Sequence, residues 1–178
     1  AYGHNLRHVR MQGEVAFNVH HDTQRPFLVH VGDQQIRVVG TEFNVLHADG
    51  STTVTVRRGI VSVAPIKGGA TPIALHVGEQ GSYQDGVWRV SGADANAALA
   101  WREGRLIYDN ASLRRVVADL NRYVEKPIRI ADPKLARMRF SGVLVIEPEE
   151  QAVDRLRDFL PLSVRRTETE TQLHPRQP

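Results

Sequence analysis

Apolar and polar residues alternate through the first half of the chain. Val15, Phe17 and Val19 keep this rhythm, as do Phe27, Val29 and Val31; Val54 and Val56; Val61 and Val63; and Leu75 and Val77. A period of two marks half-buried strands, because successive side chains leave a strand on opposite faces. Turn-forming clusters separate the runs: Asp22 to Pro26, Gly32-Asp33, Ala48 to Ser51, Arg58-Gly59, Lys67 to Gly69 and Asp85-Gly86. Asp-Gly between apolar alternations signals a tight hairpin, since both residues tolerate positive φ. Strands spaced roughly every 8 to 12 residues without a helical window predict an all-β domain over residues 1–95. A sandwich, a jelly roll and a β-helix-like stack all fit that pattern.

Ser91 to Ala100 is small and polar and reads as a linker, although its alanines also suit a helical turn. After Trp101 the period changes. Leu113, Val116, Val117 and Leu120 fall three and four apart, predicting an amphipathic helix capped by Asp109 or Asn110 and stopped by Pro127. Ile128 and Ile130 follow as a short strand. The scheme then repeats: a strand from Met138 to Ile146, and a helix opened by Pro148 with Glu149 and Glu150 at its positive dipole end. Val153, Leu156 and Phe159 form that helix's buried face, and Pro161 ends it. Leu162 to Arg166 and Thr169 to Leu173 close the chain as strands, with a tail fraying from Pro175. Residues 101–178 are thus predicted to be a small α+β domain, βαβ followed by βαββ. The fold class is β plus α+β.

Composition narrows the function. The 178 residues suffice for one large domain or two small ones, and 41% hydrophobic content supports a packed core. No apolar run approaches the ~20 residues of a membrane span. The chain starts at Ala1, without an initiator Met, and is read as a piece of a longer protein. Its net charge is +3. Arg and Lys are scattered, and their densest stretch, Arg102 to Arg139, is interleaved with Asp and Glu. This describes a solvated surface and not a nucleic-acid footprint. The absence of cysteine excludes disulfides, thiolate metal sites and a cysteine nucleophile. It suits the cytoplasm and the periplasm alike.

Catalytic patterns are wanting. His4 and His8 have helical spacing and His20-His21 are adjacent, yet neither pair has a carboxylate at ligand spacing. Glu149 and Glu150 are neighbours on a helix and do not face each other. Ser62, Ser82 and Ser141 lack a nucleophile elbow, and no phosphate-cradling glycine loop occurs. Gly40 and Gly59 read as backbone devices for positive φ or a bulge, and Phe43 and Val45 as core. No enzyme activity, cofactor or metal is expected.

Two stretches carry a family resemblance. The first comprises Gly13 to Val19, Arg25-Pro26-Phe27-Leu28-Val29, Val38-Val39-Gly40-Thr41-Glu42-Phe43-Asn44-Val45 and Arg58-Gly59-Ile60-Val61-Ser62-Val63. The second comprises Trp101-Arg102-Glu103-Gly104 to Tyr108 and Leu120-Asn121-Arg122-Tyr123. In these residues the chain resembles the periplasmic part of the FecR family of anti-sigma regulators. Residues 101–178 are similar to the short N-terminal domain of secretins and TonB-dependent receptors. The resemblance implies a parent protein in the bacterial inner membrane, with one spanning helix and a cytoplasmic segment that meets an extracytoplasmic-function sigma factor. It implies that the periplasmic part binds the N-terminal signalling domain of a TonB-dependent siderophore receptor, and that proteases then release the sigma factor. The cytoplasmic segment, the helix and the strands that usually precede Arg10 are not in this chain, so the β domain is expected to be truncated at its start.

A partner domain can be captured at a sheet edge or on a helix face. Leu113, Val117 and Leu120 are expected to face their own sheet. The strand Leu106-Ile107-Tyr108, with Leu120, Arg122 and Tyr123, makes up the first candidate surface, and the hairpin from Val164 to Leu173 the second. Tyr and Arg are favoured because they most often become hot spots. Tyr123→Ala, or a charge at Leu106, is expected to weaken binding with the fold intact. Trp101 is expected to plug the junction of the two domains. Two other readings stay open: a periplasmic carbohydrate- or ligand-binding module, for which 6% aromatics is a thin supply, and a structural piece of a secretin-like assembly.

Overall fold

The computed structural model describes residues 7–67, 69–146 and 149–176. The chain divides into two compact units, Ala1–Leu99 and Ala100–Pro178. The first contains ten strands: β1 (Arg7–Met11), β2 (Gly13–Asn18), β3 (Phe27–Val31), β4 (Gln34–Val38), β5 (Glu42–Ala48), β6 (Ser51–Arg58), β7 (Val61–Pro65), β8 (Ile73–Leu75), β9 (Glu79–Gln84) and β10 (Val87–Gly92). They form two five-stranded sheets, ordered β1-β3-β4-β7-β8 and β10-β9-β6-β5-β2. The chain changes sheet after each hairpin, and β1 runs parallel to β3.

Both sheets turn their alternate residues onto one shared core. Val29, Val31, Ile36, Val61, Val63 and Leu75 come from one sheet, and Phe43, Val45, Val54 and Val56 from the other; all are fully buried. The unit is therefore a β-sandwich, which resolves the alternatives left by periodicity. Each such side chain contributes about 1.5–3 kcal/mol on burial. Two Asp-Gly pairs make the expected two-residue hairpins. Asp49 and Gly50 have φ of 51° and 72° between β5 and β6, and Asp85 and Gly86 have 53° and 81° between β9 and β10. Val77, expected to continue the alternation of Leu75, is instead exposed, because β8 ends at Leu75 and a turn begins.

Three sheet-to-sheet crossings stack at one place. Val19 donates its N–H to Thr41 O (2.9 Å), Asp22 to Val39 O (2.7 Å), and the Thr41 hydroxyl to Ile60 O (3.2 Å). The glycines there fit for steric reasons. A Cβ on Gly40 would lie 2.5 Å from the His21 ring and 2.6 Å from its Cα, and one on Gly59 (φ 86°) would lie 2.9 Å from Gly40 O. Gly40 itself does not have positive φ, so close chain approach is what excludes a side chain there. A chain of polar side chains around the buried Gln34 adds a second tie. Gln34 donates to Asp33 (2.8 Å) and accepts from Trp88 Nε1 (3.1 Å), and Tyr83 donates to the other Asp33 oxygen (3.1 Å). These hydrogen bonds, Gln34 foremost and then Tyr83, hold the Asp33 carboxyl below its usual range.

The expected linker is partly helical. Asp94 accepts from the N–H groups of Asn96 (2.8 Å) and Ala97 (3.3 Å), opening α1 (Ala95–Leu99), and Leu99 is buried.

The second unit begins with a 3-10 turn, Ala100–Glu103, and continues as β11 (Arg105–Ser112), α2 (Leu113–Leu120), β12 (Ile128–Ile130), α3 (Pro133–Ala136), β13 (Arg139–Val145), α4 (Glu149–Phe159), β14 (Leu162–Arg166) and β15 (Thr171–Pro175). It is the α+β unit the sequence predicts, plus the unforeseen short α3. β11 pairs antiparallel with β13, and a second sheet is ordered β12-β15-β14. The helices pack over both sheets around a leucine-rich core that includes Leu113, Val116, Leu120, Leu144, Leu156, Leu162 and Leu173.

Three details differ from expectation. β11 does not stop at Asp109. It passes through a bulge at Asn110 (φ 49°), so Ser112 caps α2 by accepting from Arg115 N–H at 3.3 Å. α4 buries Ala152, Val153 and Leu156, and Leu160 just beyond its end, whereas Phe159 falls off that stripe and is 62% exposed. The tail is tied down: Pro175 pairs with Leu162, and Arg176 N–H donates to Pro161 O (3.0 Å). Pro148, expected in the first turn of α4, and the side chains of Glu149 and Glu150 lie outside the described residues.

Candidate functional site

The candidate residues of the second unit separate into inward and outward groups. Leu106 and Tyr108 point from β11 into the core, Leu120 lies beneath α2, and Leu173 sits fully buried on β15, the central strand of its sheet. These four form the interior and do not offer a surface; a charge at Leu106 would disturb packing before it tested an interface. Val164 is half-buried on the edge strand β14 and packs against the same core, as do Tyr123 and Trp101.

Arg122 and Tyr123 belong to a polar cluster at the end of α2. Asp119 is nearly buried, and its two oxygens accept from Arg115 Nε (2.9 Å) and Arg122 Nη1 (2.7 Å). The pairs span i, i+4 and i, i+3 on one helix, the spacings that bring side chains together. The Arg122 guanidinium lies 5.5 Å from the centroid of the Tyr123 ring, within cation–π range. Burial, then the Asp119 charge, pushes the Tyr108 hydroxyl well above the ordinary tyrosine range. The cluster ties the last turn of α2 to the residues that follow it. It leaves Arg115 and part of Arg122 at the surface.

Of the outward face of the β11–β13 sheet, the sequence singles out Ile107, within the strand Leu106-Ile107-Tyr108, whereas Val143 and Val145 read only as strand residues. Ile107 is 38% exposed, Val143 36% and Val145 44%. Ile107 lies opposite Val143, and Val145 opposite Arg105, so the three apolar side chains share one face of a two-stranded ribbon. Phe159, on α4, exposes a ring apart from this face, edge-on to the core residue Phe140 at 6.1 Å with Arg155 above it at 5.8 Å. A signal existed in the unbroken run Val143-Leu144-Val145-Ile146. A strand with only one face on a core needs apolar residues at alternate positions, and filling the others places hydrophobics in water.

The residues considered for chemistry have structural roles or stand apart. Ser141 accepts from Asn110 N–H (2.8 Å) at the bulge. His8 meets His30 with ring centroids 4.1 Å apart, and desolvation, with His30 second, lowers its pKa. His4 lies outside the described residues. His20 and His21 line a surface hollow with Arg58 and Asn18. Among the described residues no group of three His, Asp or Glu side chains could hold a metal, and no helix is long and apolar enough to cross a membrane.

Comparison with known proteins bears on both units. Two crystal structures of a candidate anti-sigma factor from Parabacteroides distasonis ATCC 8503, at 1.65 and 2.50 Å, superpose with TM-scores of 0.84 and 0.83. In each case 25% of residues are identical, and the alignment covers 98% of this chain and 83% of the other. A search of curated proteins finds no match. Residues 1–62 match the family model described as FecR protein, a family of non-enzymatic regulators. Over those residues, which run from the N-terminus to the start of β7, the chain carries a FecR family domain.

Proposed function

We propose that this chain is the periplasmic sensor region of an inner-membrane anti-sigma regulator. In this reading it binds the N-terminal signalling domain of a TonB-dependent siderophore receptor and passes the iron-uptake signal to an extracytoplasmic-function sigma factor. The FecR family domain and the anti-sigma fold support the class of protein. The observation that carries the docking role is the apolar face of Ile107, Val143 and Val145, flanked by Arg105. Contiguous exposed hydrophobics with a charged rim are the usual mark of a protein contact. Tyr123 and Arg122, half-buried beside Asp119, form a secondary contact.

The test is titration calorimetry with a purified receptor signalling domain. Ile107→Glu and Val143→Glu are expected to weaken binding by about thirtyfold, the loss of a hot spot of ~2 kcal/mol. Tyr123→Ala is expected to weaken it less. All three should retain the parent circular dichroism spectrum. Unchanged affinity in both glutamate variants would sink the docking role.

A further inference from the structure

The edge of β12 is half closed by a side chain. β12 flanks the three-stranded sheet and pairs parallel with β15, where Thr171 N–H donates to Pro127 O (3.0 Å) and Ala131 N–H to Leu173 O (2.9 Å). Backbone groups alternate sides along a strand, so Pro127, Arg129 and Ala131 face β15 while Ile128 and Ile130 face away from it. On that outer side the Asn121 carboxamide accepts from Ile128 N–H (2.7 Å) and donates to Ile128 O (3.0 Å). One side-chain amide thus supplies the donor and acceptor that a neighbouring strand would present. Ile130, two residues on, has no such cover among the described residues. It borders a groove of about 430 Å³ whose other walls are Arg114, Val117 and Ala118 from α2 and Asp132, Pro133 and Ala136 at α3.

We infer that this groove takes an extended acidic segment of a partner protein, which adds to β12 as a fourth strand and displaces the Asn121 carboxamide. An unpaired strand edge is a template for another strand, because its N–H and C=O groups need partners. Charge selects the segment. The second unit carries 15 Lys and Arg against 12 Asp and Glu, and Arg114, on the groove wall, makes no ion pair among the described residues. Arg129 also lines the groove, exposed and held among the described residues by a 3.2 Å surface pair with Glu170. The one acid on the wall, Asp132, accepts from Lys134 N–H (2.7 Å) as the cap of α3. This site lies on a different sheet from the Ile107 face and does not depend on the receptor reading.

The probe is a fluorescein-labelled ten-residue peptide of alternating glutamate and valine, followed by anisotropy with the 178-residue chain. A lysine–valine peptide serves as the control. Ile130→Pro removes an N–H that β15 does not use, and proline is tolerated on edge strands, so this variant blocks strand addition while sparing the sheet. Arg114→Glu reverses the selecting charge on an exposed helix position. Saturable binding of the glutamate peptide, slowed amide exchange at Ile130, and weakening of at least ~tenfold in both variants are expected. Absence of saturable binding overturns the inference. So does equal binding of the lysine peptide, or a glutamate-peptide affinity that neither variant changes.

Discussion

The two units fill their interiors with different residues. Among the described residues, nine of the twelve core side chains of the sandwich are valine. In the second unit nine of seventeen are leucine and three are valine. β-Branched side chains hold one rotamer and suit two pleated sheets laid face to face. Leucine lets a helix reach down onto a sheet. Their surfaces differ too. Residues 1–99 carry eight basic and eight acidic side chains, whereas residues 100–178 have a surplus of three positive charges. The exposed hydrophobics of the sandwich (Ile60, Ile66, Val77, Val87 and Val90) are spread over turns and the edge strand β10, whereas Ile107, Val143 and Val145 share a face. Scattered exposure is ordinary for a folded surface, and gathered exposure calls for a partner. On the proposed function the first unit serves as the scaffold and the second as the contact surface.

The largest test of this contrast is in the sandwich core. Phe43 is fully buried and stacks on Phe17 with ring centroids 5.0 Å apart. Phe43→Ala should cost about 3–5 kcal/mol in urea denaturation, because the stiff valines around it cannot collapse into the cavity. Leu156→Ala in the second unit should fall at the lower end of the ~2–5 kcal/mol range for leucine, since the leucines around it can change rotamer. Equal losses would remove the distinction between the cores.

A smaller effect is expected at the stacked crossings. Gly40→Ala should lower stability by about 1–3 kcal/mol, because a Cβ there meets the His21 backbone as well as its ring. Gly104→Ala is the matched change in the second unit, where a Cβ meets nothing within 4 Å and only its φ of 70° is strained. Thermal unfolding of the pair separates crowding from backbone strain.

The smallest effects depend on pH, and the units should respond at opposite ends. The Asp33 carboxyl titrates below its ordinary value in the folded chain. Its contribution is therefore present above the usual Asp value of about 3.9 and is lost as pH falls through the lower folded value. Tyr108 titrates above its ordinary value. Its contribution is present below about pH 10 and is lost as pH rises beyond that. Asp33→Asn should blunt the acid loss of melting temperature, and Tyr108→Phe the alkaline loss. A Tyr108→Phe curve parallel to the parent's above pH 10 would contradict this assignment.

How much the sequence disclosed depended on whether a local signal was unambiguous. Asp49-Gly50 and Asp85-Gly86 could be read because few other pairs accept two successive positive φ angles. The helix stripe of Leu113, Val116, Val117 and Leu120 was equally clear. The face of β11 was not, since Leu106, Ile107 and Tyr108 are all apolar and alternation cannot say which of them turn inward. Phe159 follows Leu156 at helical spacing, yet the neighbouring Leu160 takes the buried position. Asn121 gave no sign of its role, which exists only because Ile128, seven residues later, returns beside it.

The bulge at Asn110 bears on solubility. A ribbon of two strands has two open edges, and an apolar face makes it a template for edge-to-edge aggregation. Here the regular register from Arg105 to Tyr108 spans four pairs before Asn110 breaks it. Arg139, just past the break, donates to Asn110 O (3.0 Å) and places a positive charge at the end of the ribbon. A short, kinked and charge-tipped edge is hard for a second copy to continue, so the sheet can keep its hydrophobic face exposed without nucleating fibrils.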